Sequence, residues 1–328
     1  CFLPEYADEP NAYVKLWKHH AAQDKANRLN EVAHARGESW IHRYGGKISS
    51  EWLFPKLWQI LDESPGVYAR MDYFIEAADW VVWQLTGNQR RNACLAGYKA
   101  IWSRAHGYPS PAFFAALDPR LENVVGEKLR EDIYTLGDRA GGLTSEMAVA
   151  MGLNEGIAVA IANADAHASV PAVTIDNKGK MLAIIGTSTC HMLLSDREAN
   201  VPGICGYVVD GIVPGYLGYE AGQSCVGDHF KWLVENAVPQ RYFEEAARLQ
   251  IDIHRYLQSL AEKLAVGESG LLALDWWNGN RSVLVDVDLT GLILGMDLQT
   301  RPEEVYRALV EATAYGTRMI IDNFRKHG

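Results

Sequence analysis

Short apolar runs that end abruptly in polar residues are the most informative pattern along this chain. Ile157 to Ala162 form an unbroken run of small and β-branched residues, which predicts a strand buried on both faces. The run stops at Asn163, Asp165 and His167. Polar residues just past the carboxyl end of such a strand face the ligand crevice of an open α/β sheet. Asp165 is therefore our first candidate for a catalytic carboxylate, and a cap on a helix beginning near Ala166 is the commoner alternative.

A second apolar run leads directly into hydroxyl-bearing residues. Residues 180–185 read as a strand, paired in a hairpin with residues 173–176 across the turn Asn177–Gly179. The strand continues into Gly186, Thr187, Ser188 and Thr189. A glycine followed by three hydroxyls at a strand end can wrap amides and hydroxyls around phosphate oxygens. An ordinary Ser/Thr turn is the alternative.

Helical spacing of apolar residues accounts for much of the remaining chain. It predicts helices over residues 11–36, 67–85, 145–151 and 242–265, and a last helix opened by the capping box Thr300–Glu303. Further strands are predicted at 271–274 and 283–287, and a hairpin over 207–213 with Asp210 and Gly211 at its tip.

Two charged residues stand out as further candidates. Lys99 lies beside Tyr98 and Trp102, where it could donate to a sugar hydroxyl or carbonyl, or simply bury its stem beneath a solvated ammonium. Glu220 is predicted just ahead of a helix, where it could stabilise the helix dipole or accept hydrogen bonds from a polyol.

Length and composition narrow the class of protein. A chain of 328 residues suggests two domains, and a net charge of −10 argues against a nucleic-acid binder. No apolar run approaches the ~20 residues that span a bilayer. The five cysteines are scattered without metal-ligand spacing, which favours a reduced cytoplasmic compartment and no metal site. Each half carries a polar motif at a strand end, so we expect two α/β domains, residues 1–172 and 173–328, facing across a cleft.

Eight segments resemble motifs of the FGGY carbohydrate kinases, in family order and across nearly the whole chain. They are Lys15–His20, Trp52–Lys56, Ala96–Lys99, Ala164–His167, Gly186–Thr189, Glu220–Ser224, Asp275–Arg281 and Gly291–Glu311. The resemblance implies a two-domain actin-like ATPase (ribonuclease H-like) fold with an interdomain cleft. The N-terminal domain would carry the sugar site and catalytic base, and the C-terminal domain the nucleotide phosphate site.

The resemblance also implies roles for individual residues. Asp165 matches the general base that takes the proton of the sugar's terminal hydroxyl, and it also binds substrate together with Lys99 and Glu220. Gly186, Thr187 and Ser188 match the loop that faces the γ-phosphate of ATP. The implied reaction is phosphorylation of L-ribulose at its 5-hydroxyl with ATP and Mg²⁺, in L-arabinose catabolism. A homodimer without nucleic-acid or membrane partners is the statistical expectation.

Three other interpretations remain open at this point. The substrate could be another pentulose or polyol, such as D-ribulose, xylulose or glycerol. A non-catalytic carbohydrate-binding module could stack sugars on Trp276, Trp277 and Tyr219. An actin-like or chaperone-like ATPase could share the fold, since fold does not fix function.

The chain also departs from the family pattern. The Gly-Thr phosphate loop that opens family members is missing, as is the Gly-rich adenosine-binding segment beyond the last helix. We therefore expect an internal portion of a longer kinase, which by itself does not turn over ATP.

Overall fold

The computed structural model describes residues 3–17, 19–130 and 132–327. Cys1, counted among the cysteines, and Lys18, within the Lys15–His20 motif, lie outside the described residues. The chain divides into two compact units. The first comprises Cys1–Met181, Met192–Glu198 and Gly206–Tyr219, and the second comprises Leu182–His191, Ala199–Cys205 and Glu220–Gly328.

Helices dominate the secondary structure. They are α1 Gln23–Arg36, α2 Leu53–Glu63, α3 Pro65–Arg70, α4 Ala77–Thr86, α5 Ala93–Ala100, α6 Pro111–Leu117, α7 Val124–Lys128, α8 Ser145–Met151, α9 Asp165–Ala172, α10 Gly227–Ala237, α11 Gln240–Arg248, α12 Ile253–Ala261 and α13 Pro302–His327. Short 3-10 helices occur at Pro4–Tyr6, Pro10–Ala12, Ser39–Tyr44 and Pro119–Leu121.

Among the described residues the strands are short and fall into four sheets. They are β1 Arg91–Asn92, β2 Ile133–Tyr134, β3 Arg139–Gly142, β4 Ala158–Ala160, β5 Met181–Ile185, β6 Thr189–Ser195, β7 Gly206–Val209, β8 Leu217–Gln223, β9 Leu272–Leu274 and β10 Leu292–Leu294. β1 and β2 pair in parallel, while β3 with β4 and β9 with β10 pair antiparallel. The other four strands form one sheet in the order β5-β6-β8-β7.

Each unit has its own apolar core. In the first, α1 buries one face (Ala26, Leu29, Val32, Ala33), and α2 is buried along most of its length, including its one lysine, Lys56. The core of the second unit gathers side chains from its helices and from β9: Leu233, Val234, Tyr242, Leu257, Ala261, Leu271, Ala273, Val305, Tyr306, Ala308, Leu309 and Ala312. The apolar face of α13 follows helical spacing, as predicted from the sequence.

Two predicted helices are shorter than their apolar spacing suggested. The helix predicted over 11–36 begins only at Gln23, because Lys56 Nζ donates to the carbonyls of Leu16 and Trp17 at 2.8 and 3.0 Å and holds that segment open. The helix predicted over 67–85 breaks into α3 and α4. At the break, the N–H of Phe74 donates to the carbonyl of Lys128 at 2.9 Å. Partners distant in sequence replace the helical hydrogen bonds at both places.

Five other expectations about local structure are wrong. The helix predicted over 242–265 is interrupted between α11 and α12, where Gln250 adopts a positive φ of 55°. Residues 173–176 and 283–287 do not form strands. The predicted 207–213 hairpin is displaced, since the loop between β7 and β8 runs over residues 210–216. At the start of α13, Glu304 rather than Glu303 accepts the capping hydrogen bond, from the N–H of Arg301 at 2.7 Å.

The strand near Asp165 exists but is not buried on both faces. It is confined to β4, whose alanines are exposed, and its neighbour Ile157 is 43% exposed. Only Ile161 of the run is fully buried, packed with Val82 and Ala140. β4 pairs with β3 along one edge. This pairing uses backbone hydrogen bonds, and it does not bury the side chains of β4.

No helix among the described residues is both long and apolar enough to cross a membrane.

Candidate functional site

Asp165 lies where the sequence placed it, at a junction between strand and helix. It is the first residue of α9, follows β4 by a short connection and is exposed. Its Oδ1 accepts from the N–H of Ala166 at 2.8 Å, and no ion pair involves it among the residues the structure describes. The N-cap position belongs to Ala164, so capping does not account for Asp165. The carboxylate faces solvent with acceptor capacity to spare.

Lys99 lies near the carboxyl end of α5 and is half-buried. Its Nζ lies 3.8 Å from the centre of the Trp52 ring, within the range of a cation–π interaction. A second lysine on α2, Lys56, is buried nearby. Burial and the neighbouring charge of Lys99 lower the pKa of Lys56 to about 8. The motifs Trp52–Lys56 and Ala96–Lys99 therefore lie together, with the Lys99 ammonium over the Trp52 ring and the Lys56 ammonium buried.

A ring contact joins the helices that carry Lys99 and Asp165. Tyr98 and His167, both buried, lie with ring centroids 4.5 Å apart. Ala164 packs against the cluster of Cys94, Tyr98 and Val208. Tyr98 precedes Lys99, and His167 follows Asp165 by two residues. The first unit thus brings two predicted site residues onto adjoining helices.

The predicted phosphate motif forms a tight turn between β5 and β6, which we call the 186–188 turn. The N–H of Gly186 donates to the carbonyl of Ser188 at 2.9 Å. The start of α10 lies behind this turn: the N–H groups of Val226 and Gly227 donate to the carbonyls of Thr187 and Gly186, each at 2.9 Å. Gly186 and Thr187 are exposed and Ser188 is half-buried. The three carbonyls of the turn are therefore all hydrogen-bonded, while Thr187 stays exposed.

Glu220 belongs to the second unit, with the 186–188 turn. It lies within β8, is 6% exposed, and accepts from the thiol of Cys190 at 3.9 Å. Arg281 Nη1 lies 3.9 Å from the same Sγ. A helix-dipole role for Glu220 is wrong, because β8 continues to Gln223 before α10 begins. Cys190 and Arg281 escaped the sequence analysis as site residues, although one follows Thr189 directly and the other ends a quoted motif.

The aromatic residues of the binding-module alternative are engaged in packing. Tyr219 is 3% exposed, stacks on Tyr207 with centroids 4.9 Å apart, and donates to the carbonyl of Arg197. Trp277 donates its Nε1–H to the carbonyl of Leu274 at 3.1 Å and packs on Trp232. Two of the three rings are thus committed to the fold rather than open to a sugar.

A surface cavity of about 550 Å³ lies elsewhere in the first unit. Its walls include Trp102, His106, Tyr108, Phe114 and Glu122, and none of the predicted site residues lines it.

Comparison with known protein families gives a match on both sides of the predicted domain boundary. Residues 2–171 match the model described as "FGGY family of carbohydrate kinases, N-terminal domain", and residues 181–328 match the C-terminal domain of the same family.

Curated relatives match over the whole chain. A protein of Bacillus licheniformis named Ribulokinase is 62% identical over 328 residues, covering 100% of this chain and 59% of the relative. A Ribulokinase of Mycolicibacterium smegmatis is 52% identical, covering 100% of this chain and 58% of the relative. The chain thus spans somewhat more than half the length of these relatives.

Solved structures resemble this one in fold. A xylulose kinase from Rhodospirillum rubrum superposes with a TM-score of 0.69 at 22% identity, covering 91% of this chain and 58% of that one. Plasmodium falciparum glycerol kinase with ADP superposes with a TM-score of 0.69 at 14% identity, covering 95% and 59%. The predicted α/β, two-domain fold of the actin-like ATPase class is confirmed.

Proposed function

This chain belongs to the FGGY family of carbohydrate kinases, and from that premise we propose that it is part of an enzyme that phosphorylates L-ribulose. The γ-phosphate of ATP is transferred to the 5-hydroxyl, giving L-ribulose 5-phosphate in L-arabinose catabolism. Curated relatives named Ribulokinase, 52% to 62% identical over the full chain, support this substrate.

The observation that carries the proposal is the Tyr98–His167 contact, which joins the helices of Lys99 and Asp165. Phosphoryl transfer asks the protein mainly for positioning, charge neutralisation and a base for the attacking hydroxyl. Asp165 is the exposed carboxylate suited to take that proton. Lys99, supported by Trp52, is suited to donate to the oxygens of the pentulose.

The second unit would supply one ligand of the sugar and the phosphate side of the reaction. Glu220 accepts hydrogen bonds from sugar hydroxyls in this proposal, and Gly186, Thr187 and Ser188 face the γ-phosphate. The described residues contain no group of three or more His, Cys, Asp or Glu side chains that could hold a metal ion. In this proposal Mg²⁺ arrives as MgATP, where it neutralises phosphate charge.

The remaining expectations stay proposals. They are the domain boundary between residues 172 and 173, a cytoplasmic location and a homodimer. Another pentulose of the family remains the competing substrate.

The test uses two proteins. One is the 328-residue chain, which we expect not to turn over ATP by itself. The other, which we call the hybrid, is the Bacillus licheniformis relative with its matching segment replaced by this chain. The hybrid should transfer phosphate from ATP to L-ribulose in preference to D-ribulose, D-xylulose and glycerol. Asp165→Asn in the hybrid should lower kcat by about 10²–10⁴-fold, the contribution of a positioned general base.

Circular dichroism and the melting temperature of the hybrid serve as controls for folding. A folded hybrid that phosphorylates none of the four sugars would overturn the proposed activity. A fully active Asp165→Asn hybrid would leave the activity standing and remove Asp165 as its base.

A further inference from the structure

The start of α10 is pressed against the backbone of the 186–188 turn. The N–H groups of a helix's first residues have no partner within the helix. Here Val226 and Gly227 direct theirs to the carbonyls of Thr187 and Gly186, each at 2.9 Å. These two hydrogen bonds fix the rear of the turn to a helix of eleven residues.

The approach is close enough to exclude any side chain at position 227. A Cβ built on Gly227 would lie 2.8 Å from the carbonyl oxygen of Gly186, and 3.3 Å from both the carbonyl carbon of Gly186 and the Cα of Thr187. All three atoms are backbone, so no side-chain rotation can relieve the clash. A larger residue must therefore move the turn or the helix.

A second glycine lies against the other end of the same segment. A Cβ on Gly222 would lie 2.8 Å from the carbonyl oxygen of Thr189, the first residue of β6. The N–H of Gly222 donates to Ser282 Oγ at 3.2 Å. Gly227 and Gly222 thus each lie close to the backbone of residues 186–189, and these contacts restrict the position of the turn.

We propose that Gly227 is a positioning residue for phosphoryl transfer, holding the 186–188 turn at the place where it meets the γ-phosphate. The inference depends on the proposed role of that turn. Gly227 touches no reacting atom, and it acts through the carbonyls of Gly186 and Thr187. In-line transfer is sensitive to misplacement, since a shift of about 1 Å can cost about 100-fold in rate.

The first experiment measures hydrogen exchange in the 328-residue chain. Gly227→Ala should speed amide exchange in the peptide containing residues 185–189 by about tenfold or more. Gly126→Ala is the matched control, since Gly126 is also helical and has nothing within 4 Å of a built Cβ. Unchanged exchange in a folded Gly227→Ala chain would overturn the proposal.

If Gly227→Ala does not fold, the unaltered chain still decides the point. The amides of Val226 and Gly227 should be protected to the level of the α10 interior. If these amides instead exchange as fast as those of an ordinary frayed helix end, the two hydrogen bonds do not hold the turn and the proposal is wrong.

The second experiment measures kinetics in the hybrid. Gly227→Ala should lower kcat by about 10–100-fold and leave KM for L-ribulose within about threefold, whereas Gly126→Ala should change neither. A purely structural role would lower the melting temperature without this selective fall in kcat at nearly constant KM. Faster exchange with unchanged kcat would overturn the positioning role. An inactive unaltered hybrid would count against the proposed function alone, because the exchange result stands independently.

Discussion

The rings of Tyr98 and His167 lie 4.5 Å apart at an interplanar angle of 43°, and this contact joins α5 to α9. Both residues are buried, and each is close in sequence to a candidate site residue, Lys99 or Asp165. The relative placement of the two candidates thus depends on a contact within the core.

Removing one ring should loosen this arrangement. We expect His167→Ala in the hybrid to weaken L-ribulose binding by about two- to tenfold, because an aromatic pair contributes about 0.5–1.5 kcal/mol beyond its buried area. His167→Phe retains a ring and should restore most of the affinity. Calorimetric titration measures both, and equal losses in the two variants would contradict this role of the ring.

Lys99 provides a separate test of the sugar site. Lys99→Met retains the length of the stem but removes the charge over Trp52, so the affinity for L-ribulose should fall at least about tenfold, the cost of a lost charged hydrogen bond. The control is Lys25→Met, since Lys25 also lies over a tryptophan, Trp58, at 5.3 Å. Titration of both variants decides the matter, and matching affinities would argue against Lys99 as a sugar ligand.

Asp79 should make the first unit less stable as pH rises. Burial raises the pKa of this carboxyl from 3.8 to about 7, although it accepts from the backbone and side-chain amides of Asn92. Between these values the folded chain binds more protons than the unfolded chain, so its stability falls with increasing pH. Relative to Asp79→Asn, the parent should lose about 1.4 kcal/mol per pH unit near the middle of this range. Urea unfolding at a series of pH values measures the difference, and a constant difference would contradict it.

The buried histidines of the second unit should act in the opposite direction. Burial lowers the pKa of both His191 and His229 from 6.5 to about 4. Between pH 4 and 6.5 the unfolded chain binds more protons, so the stability they permit at neutral pH is lost on acidification through that range. The double variant His191→Gln, His229→Gln should unfold with a weaker dependence on acid than the parent. Parallel pH profiles in urea unfolding would exclude this contribution.

Gly316 tests the buried polar network of the second unit. Gln223 Nε2 donates to Asp275 Oδ2 at 2.6 Å, and Thr317 Oγ1 donates to Gln223 Oε1 at 2.9 Å. A Cβ on Gly316 would lie 2.5 Å from that Nε2 and 2.7 Å from that Oδ2. Gly316→Ala should therefore destabilise the chain by about 1–3 kcal/mol through overpacking.

Gly66→Ala is the control for this prediction, because Gly66 is helical and has open space around a built Cβ. That variant should be neutral or slightly stabilised, since alanine restricts the unfolded chain. Thermal unfolding of the two variants provides the comparison, and a neutral Gly316→Ala would show that the network can move aside.

Features fixed by neighbouring residues could be predicted from the sequence. These include α8 with its stop at Gly152, the turn of residues 186–188 after a strand, and Asp165 at the start of a helix. Each depends on periodicity, capping or glycine conformation within about one turn of chain, so the local sequence contains the necessary information. The family, too, was evident from short motifs in order along the chain.

Contacts between residues distant in sequence decided the rest. Lys56, which binds the carbonyls of Leu16 and Trp17, keeps the start of the helix predicted over 11–36 from being helical. The exposed β4 contradicts a burial inferred from apolar composition alone. Tyr98 meeting His167 and Gly227 pressing on Gly186 also join positions far apart in the chain. Neither hydrophobic periodicity nor a local motif predicts such contacts, because they depend on how whole helices and strands pack together. The sequence therefore determined the family and the candidate residues for its chemistry, and only the tertiary structure decided what holds those residues in place.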